Sequence, residues 1–126
     1  MTSEIPEPQQ TGVVTTEQVL AFARASGDEN PIHFSPSHAR DAGLEKPILH
    51  GMFIAARFEA LLESLRDYHT VTLQIRFVRP VPVGSALILK ARKLDMADSR
   101  LHLRLLATLA DGTLVAIAEA GLEPNA

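Results

Sequence analysis

The chain of 126 residues contains no cysteine and no tryptophan, and only one tyrosine and five phenylalanines. Without cysteine there is no disulfide, no thiolate nucleophile and no sulfur ligand for zinc, a composition that fits a cytosolic chain. A basic excess is missing as well: 12 Lys and Arg stand against 15 Asp and Glu, a formal charge of −3. With so few aromatics and no cationic cluster, a nucleic-acid surface is not expected. No apolar run approaches the roughly 20 residues of a membrane-spanning helix. The opening "MTSEIPEPQQTG" lacks the basic start and apolar centre of a secretory signal. Residues 1–11 are therefore expected to be a flexible arm before one domain at 12–126, a length that suits a single hydrophobic core. There is no internal repeat.

The remainder of the chain is patterned. "TTEQVLAFARASG" reads as a short helix capped by Thr15 or Thr16, with Val19, Leu20, Phe22 and Ala23 as its apolar stripe and Gly27 as its stop. "SPSHARDAG" reads as a second, with Ser35 as N-cap, Pro36 at the first helical position and Gly43 beyond its end. The longest helical pattern runs from about His50 to Asp67, nearly all apolar in its first two turns, which predicts burial there. After Tyr68 the period changes to two. In "TVTLQIRFVRPV", Val71, Leu73, Ile75 and Phe77 alternate with Thr72, Gln74 and Arg76. Three further strands follow in "GSALILKARKLD", "RLHLRLLATLA" and "LVAIAEAGLE", with turns at Asp95–Ser99 and at Asp111-Gly112. Helices followed by antiparallel strands make an α+β domain, with a long apolar helix in the concave face of one curved sheet. Open sheet edges invite pairing with a second subunit.

One stretch poses a chemical question. In "SGDENPIHFSP", Asp28 precedes His33 by five positions. Pro31 keeps Asn30 out of the helical region, so the two groups lie on a bend. A carboxylate and an imidazole brought to one point can hold a water and move its protons. From spacing alone, a turn-capping Asp and a boundary His are the commoner arrangement.

The wider motif favours the chemical reading. "FARASGDENPIHFSPSHA" resembles the signature of the MaoC-like, R-specific enoyl-CoA hydratases through Phe22, Ser26, Gly27, Asp28, Asn30, Pro31, Ile32, His33 and Ala39. "KPILHGMF", Lys46 to Phe53, resembles the start of that family's central helix. "FVRPVPVGS" is a weaker match, with Gly84-Ser85 where Gly-Asp is common.

The resemblance implies a hot-dog fold, an antiparallel sheet wrapped around one long central helix, that dimerises. It implies reversible syn addition of water to a trans-2-enoyl thioester, giving the (R)-3-hydroxyacyl thioester. Asp28 and His33 would be the catalytic pair, in roles the sequence does not divide, and Asn30 would order the loop or bind substrate. Enolate charge needs a hydrogen-bond donor, and Gly51, opening the long helix without a side chain, supplies a free N–H. Met52, Phe53, Ala56, Glu59 and Leu62 are candidates for the acyl pocket. Glu59 would shorten that pocket if it pointed inward, paired with Arg57 or Arg66. Lys46, Arg76 and Arg79 are candidates for the coenzyme A phosphates. His50 reads as a helix-start and packing residue. His33 and His38 are spaced poorly for a metal, so no metal and no redox cofactor is expected; coenzyme A or acyl carrier protein would enter only as part of the substrate. A homodimer is expected, with higher oligomers and heterodimers as alternatives, and no nucleic-acid or membrane partner. Two other functions stay open: a 3-hydroxyacyl-carrier-protein dehydratase, and a non-catalytic acyl-thioester-binding subunit of a heteromeric complex. Thioesterases share the fold, but the intact Gly-Asp-x-Asn-Pro-x-His motif argues against that activity.

Overall fold

The computed structural model describes residues 5–97 and 99–126, and the backbone alone at 95–97. The element order is β1 (Gln9–Val13), α1 (Thr16–Ser26), a 3-10 turn (Pro31–His33), α2 (Pro36–Asp41), α3 (Gly51–Glu63), β2 (Tyr68–Phe77), β3 (Ala86–Ala97), β4 (Arg100–Thr108) and β5 (Leu114–Pro124). The five strands form one antiparallel sheet in the order β1-β3-β4-β5-β2.

The sheet presents one apolar face to α3. On β4, Leu101, Leu103, Leu105 and Ala107 are buried and alternate with half-buried residues. Their partners on β5 are Leu122, Ala120, Ala118 and Ala116, so the row beside the leucines is small. The helix answers with Ile54, Ala55, Phe58, Leu61 and Leu62, the i, i+4, i+7, i+8 spacing of a single buried stripe. Phe58 and Leu61 are fully buried. This one cluster, joined by Val14, Val19 and Leu49, is the core.

Several sequence expectations need correction. Residues 9–11, read as arm, belong to β1: Gln9 pairs with Leu89 and Gln10 with Ile88. A short, polar, glycine-interrupted strand carries no periodicity of its own, and only pairing with β3 defines it. Residues 1–4 of the arm lie outside the described residues. Helix α3 ends at Glu63 rather than Asp67. Its apolar start is not wholly enclosed, because Met52 is 68% exposed. Strand β3 runs on to Ala97, paired with Arg100, so the turn expected at Asp95–Ser99 is shorter; position 98 lies outside the described residues. On β2, Leu73 and Ile75 are half-buried, but Val71 and Phe77 are largely exposed. The strand is an edge, and a register shift between Thr70 and Thr72 interrupts its alternation.

Candidate active site

The segment from Ser26 to Ile32 is held by a ladder of side-chain-to-backbone bonds. Helix α1 ends as expected, with Gly27 in the left-handed region at φ 83° and its N–H on the Ala23 carbonyl. From there each polar side chain caps the N–H two residues on. Ser26 Oγ accepts from the Asp28 N–H at 3.1 Å, Asp28 Oδ1 from the Asn30 N–H at 3.2 Å, and Asn30 Oδ1 from the Ile32 N–H at 3.1 Å. These are the turns that Ser, Asp and Asn form because their short side chains reach their own backbone. Asn30 is thereby the N-cap of the 3-10 turn, with Pro31 at its first position.

The ladder leaves Asp28 with one oxygen free. Oδ2 lies 3.7 Å from His33 Nε2, across a boundary between an exposed carboxylate and a buried ring. On the ring's other side, His33 Nδ1 is 2.8 Å from the Ile48 carbonyl. A carbonyl only accepts, so Nδ1 carries a proton, and Nε2 is the nitrogen left for exchange. The carbonyl is placed by a backbone clasp: the Ile48 N–H donates to Ile32 O, the Leu49 N–H to Val81 O and the Val83 N–H to Pro47 O. At 3.7 Å the two functional atoms are too far apart for a good direct hydrogen bond. They are well spaced to share a water.

His50, the N-cap residue of α3, is 2% exposed. It stacks on His33 with ring centroids 3.7 Å apart and planes at 22°. Its Nε2 donates to the Asp28 carbonyl at 2.9 Å. Gly51 therefore opens α3 beside the pair, and no side chain caps this helix end, where the first backbone N–H groups have no intrahelical partner. A Cβ on Gly51 would lie 3.1 Å from Phe77 Cζ. Ile48, Gly51, Ile54, Phe77, Val78 and Arg79 line much of a recess of ≈ 320 Å³ at this helix start.

Asp28, His33 and His50 each offer a ligand atom within 4.8 Å of the others. The two rings are stacked, however, so their in-plane lone pairs run side by side instead of converging at the 2.0–2.1 Å that zinc requires. His38, weighed earlier as a ligand, bonds to Ser35 on α2.

With this geometry in view, comparison with known proteins is decisive. The model of the MaoC-like domain matches residues 2–110. This chain belongs to the MaoC-like family. Its matched segment is 47% identical over 70 residues to the (R)-specific enoyl-CoA hydratase of Aeromonas caviae, covering 53% of this chain and 52% of that protein. It is 32% identical over 81 residues to the mitochondrial 3-hydroxyacyl-[acyl-carrier-protein] dehydratase of Arabidopsis thaliana, covering 64% of this chain and 49% of that protein. The matches thus span about half the length of these curated relatives. The solved structure of the A. caviae (R)-hydratase involved in PHA biosynthesis superposes with a TM-score of 0.84 at 25% identity, over 98% of both chains. The architecture is the hot-dog fold.

The MaoC-like chain gathers some of the residues singled out from sequence and scatters others. Asp28, His33 and Gly51 lie beside His50, and Asn30 caps the turn between Asp28 and His33. Arg79 lines the recess. Arg76 does not: it pairs with Ile117 on the opposite face of the sheet, in a separate hollow with Gln74, Arg104 and Glu119. Strand alternation sends neighbouring Arg76 and Phe77 to opposite faces. Lys46 is exposed on the connector before the clasp. Of the acyl-pocket candidates, Met52, Ala56 and Glu59 lie on the exposed side of α3 in this single chain, so Glu59 points outward. Phe53 packs edge-on against Phe22, and Leu62 is in the core. The recess beside Gly51 is instead lined by Ile48, Ile54, Phe77 and Val78. Sequence reasoning assigned Ile54 to the buried start of the long helix and Phe77 to one face of a strand, and gave Ile48 and Val78 no site role; the signal was Phe77 in "FVRP", an aromatic at the end of an edge strand. Among the described residues, no helix is long and apolar enough to cross a membrane.

Proposed function

We propose that this MaoC-like chain is a hydro-lyase acting on acyl thioesters, and specifically an (R)-specific enoyl-CoA hydratase. The observation that carries the reading is the pair Asp28 Oδ2 and His33 Nε2, 3.7 Å apart, each with its second polar atom already bonded to backbone. One exchangeable site on each group faces the same gap. A water held there attacks C3 of a trans-2-enoyl thioester. One of the pair takes the water proton while the C2=C3 electron pair shifts toward the thioester carbonyl. The other, which enters the step with a proton on its gap-facing atom, gives that proton to C2, and the proton taken from water then passes between the two to reset the pair. Run backwards, the same steps expel water from the 3-hydroxyacyl thioester. The Gly51 N–H is the donor for the enolate oxygen, aided by the positive end of α3. The apolar recess beside Gly51 suits part of an acyl thioester, with Arg79 at hand for an anionic group of its carrier.

Supporting the hydratase assignment are the likeness to the A. caviae enzyme and the intact motif. A second reading, dehydration of a carrier-protein-bound 3-hydroxyacyl group, is favoured by the likeness to the Arabidopsis protein. We read the working unit as a dimer, because β2 is an open edge strand.

Hydration of crotonyl-CoA, followed by loss of enoyl-thioester absorbance with chiral analysis of the product, tests the proposal. Turnover to the (R)-alcohol, lost in folded His33→Gln, supports it. Activity on the carrier-protein thioester alone transfers the assignment to the dehydratase. Folded wild type that leaves short, medium and carrier-linked substrates untouched overturns catalysis and leaves a thioester-binding subunit.

A further inference from the structure

His50 is the most buried ionisable side chain at the site, at 2% exposure, and the chemistry above gives it no task. Its contacts are specific. One ring face stacks on His33, with centroids at 3.7 Å. Phe22 lies 4.9 Å away at 53° and in turn meets Phe53 edge-on. Nε2 lies 2.9 Å from the Asp28 carbonyl. Because that carbonyl only accepts, Nε2 bears the proton. Nδ1 is buried and has no hydrogen-bond partner. If packing were the whole purpose, a phenylalanine would fill the space without an orphaned nitrogen. The imidazole is explained by the bond it donates.

Asp28 needs such a bond. Its side chain is 54% exposed, so packing does not fix it. Its carboxylate is held at Oδ1 by the Asn30 N–H, and its backbone by His50. His33 is fixed edge-on by Ile48 and face-on by the same His50 ring. Resting on the acid–base reading of Asp28 and His33, we propose that His50 is a positioning residue. Its ring, donating from Nε2, ties the Asp28 backbone and the His33 plane to the start of α3, and so sets the gap in which the water sits.

Two variants separate the contributions. His50→Phe keeps a ring against His33 and loses the donor; His50→Gln keeps an N–H of similar reach and loses the ring. For His50→Phe the expected result is a fall in kcat of about 10- to 100-fold, the scale of a misplaced reacting group, with KM within about twofold. His50→Gln recovers most of that loss. In an Asp28→Asn background, His50→Phe has little further effect, because the group it positions is already gone. Nitrogen-15 NMR of wild-type imidazoles shows the His50 proton on Nε2. The proposal is overturned if kcat of His50→Phe stays within about twofold of wild type, if the loss lies in KM, if it multiplies undiminished with Asp28→Asn, or if His50 carries its proton on Nδ1. Should His50→Phe fail to fold, His50→Gln and the NMR measurement decide. Inactive wild type defeats the enoyl-thioester function, and the tautomer measurement then judges the positioning geometry on its own.

Discussion

Replacing Asp28 separates its two oxygens. Oδ1 braces the turn by accepting from the Asn30 N–H at 3.2 Å, and Oδ2 faces His33 Nε2 at 3.7 Å. Asp28→Asn retains an oxygen for the brace and puts an amide nitrogen where the proton-exchanging oxygen stood. The lost Asp28–His33 contact is half solvent-exposed on the carboxylate side, so its contribution to stability is at most about 1 kcal/mol. Catalysis should suffer far more. Loss of a general acid–base group costs about 10²- to 10⁴-fold, or about 3–5 kcal/mol of transition-state stabilisation. Asp28→Ala removes the brace too and should lose roughly a further 1 kcal/mol of folding stability, the net worth of one hydrogen bond. Crotonyl-CoA hydration and urea denaturation of the three proteins measure both quantities. The reasoning is refuted if Asp28→Asn keeps more than about a tenth of wild-type kcat, or if its denaturation midpoint falls as far as that of Asp28→Ala.

Three other outcomes follow from the geometry. Gly51→Ala sets a methyl 3.1 Å from the half-exposed Phe77 ring, which can swing aside, so thermal stability should drop by less than the roughly 1–3 kcal/mol of overpacking in a closed core. kcat should fall by about 10²- to 10³-fold as for a lost oxyanion donor; adding Phe77→Ala should relieve the contact without restoring turnover. Phe58→Ala, at a fully buried position facing the sheet, should cost about 3–5 kcal/mol in urea titration. Asp111 accepts from the Thr113 N–H at 2.9 Å, and this bond holds its carboxyl below the ordinary 3.8. A depressed folded-state value stabilises the fold above the unfolded value and ceases to do so as the pH falls through the folded one. The difference in melting temperature between wild type and Asp111→Ala should therefore be greatest near neutrality and narrow in acid below 3.8.

Local chemistry made much of this fold readable. Thr15, Gly27, Ser35 and Pro36 mark helix ends that the structure reproduces, because capping is decided by residues a few positions apart. The alternation of β4 was legible because one of its faces is buried from end to end. Strand β1 was not, since its pairing with β3 is a contact about 80 residues away in sequence. In the site, the bend at Asp28–His33 could be read from Asn30-Pro31. The tautomer of His33 could not, because the carbonyl that fixes it belongs to Ile48. His50 looked like packing for the same reason: its partners lie 22 and 17 positions upstream. Arg76 could not be placed from sequence, because phosphate affinity is a property of residue type, whereas the face it occupies is set by strand parity.

The strand order also fixes a sequence of events in time. β3, β4 and β5 are successive neighbours and can zip together through short turns, but β2, made before them, pairs only with β5. As the chain emerges from the ribosome, β2 has no sheet to join until the final strand is complete. Distant pairing of this kind slows folding and leaves apolar segments exposed meanwhile. Val71, Leu73, Ile75 and Phe77 are then the stretch most in need of a chaperone, and a ribosome stalled before Leu114 would release a chain prone to aggregate.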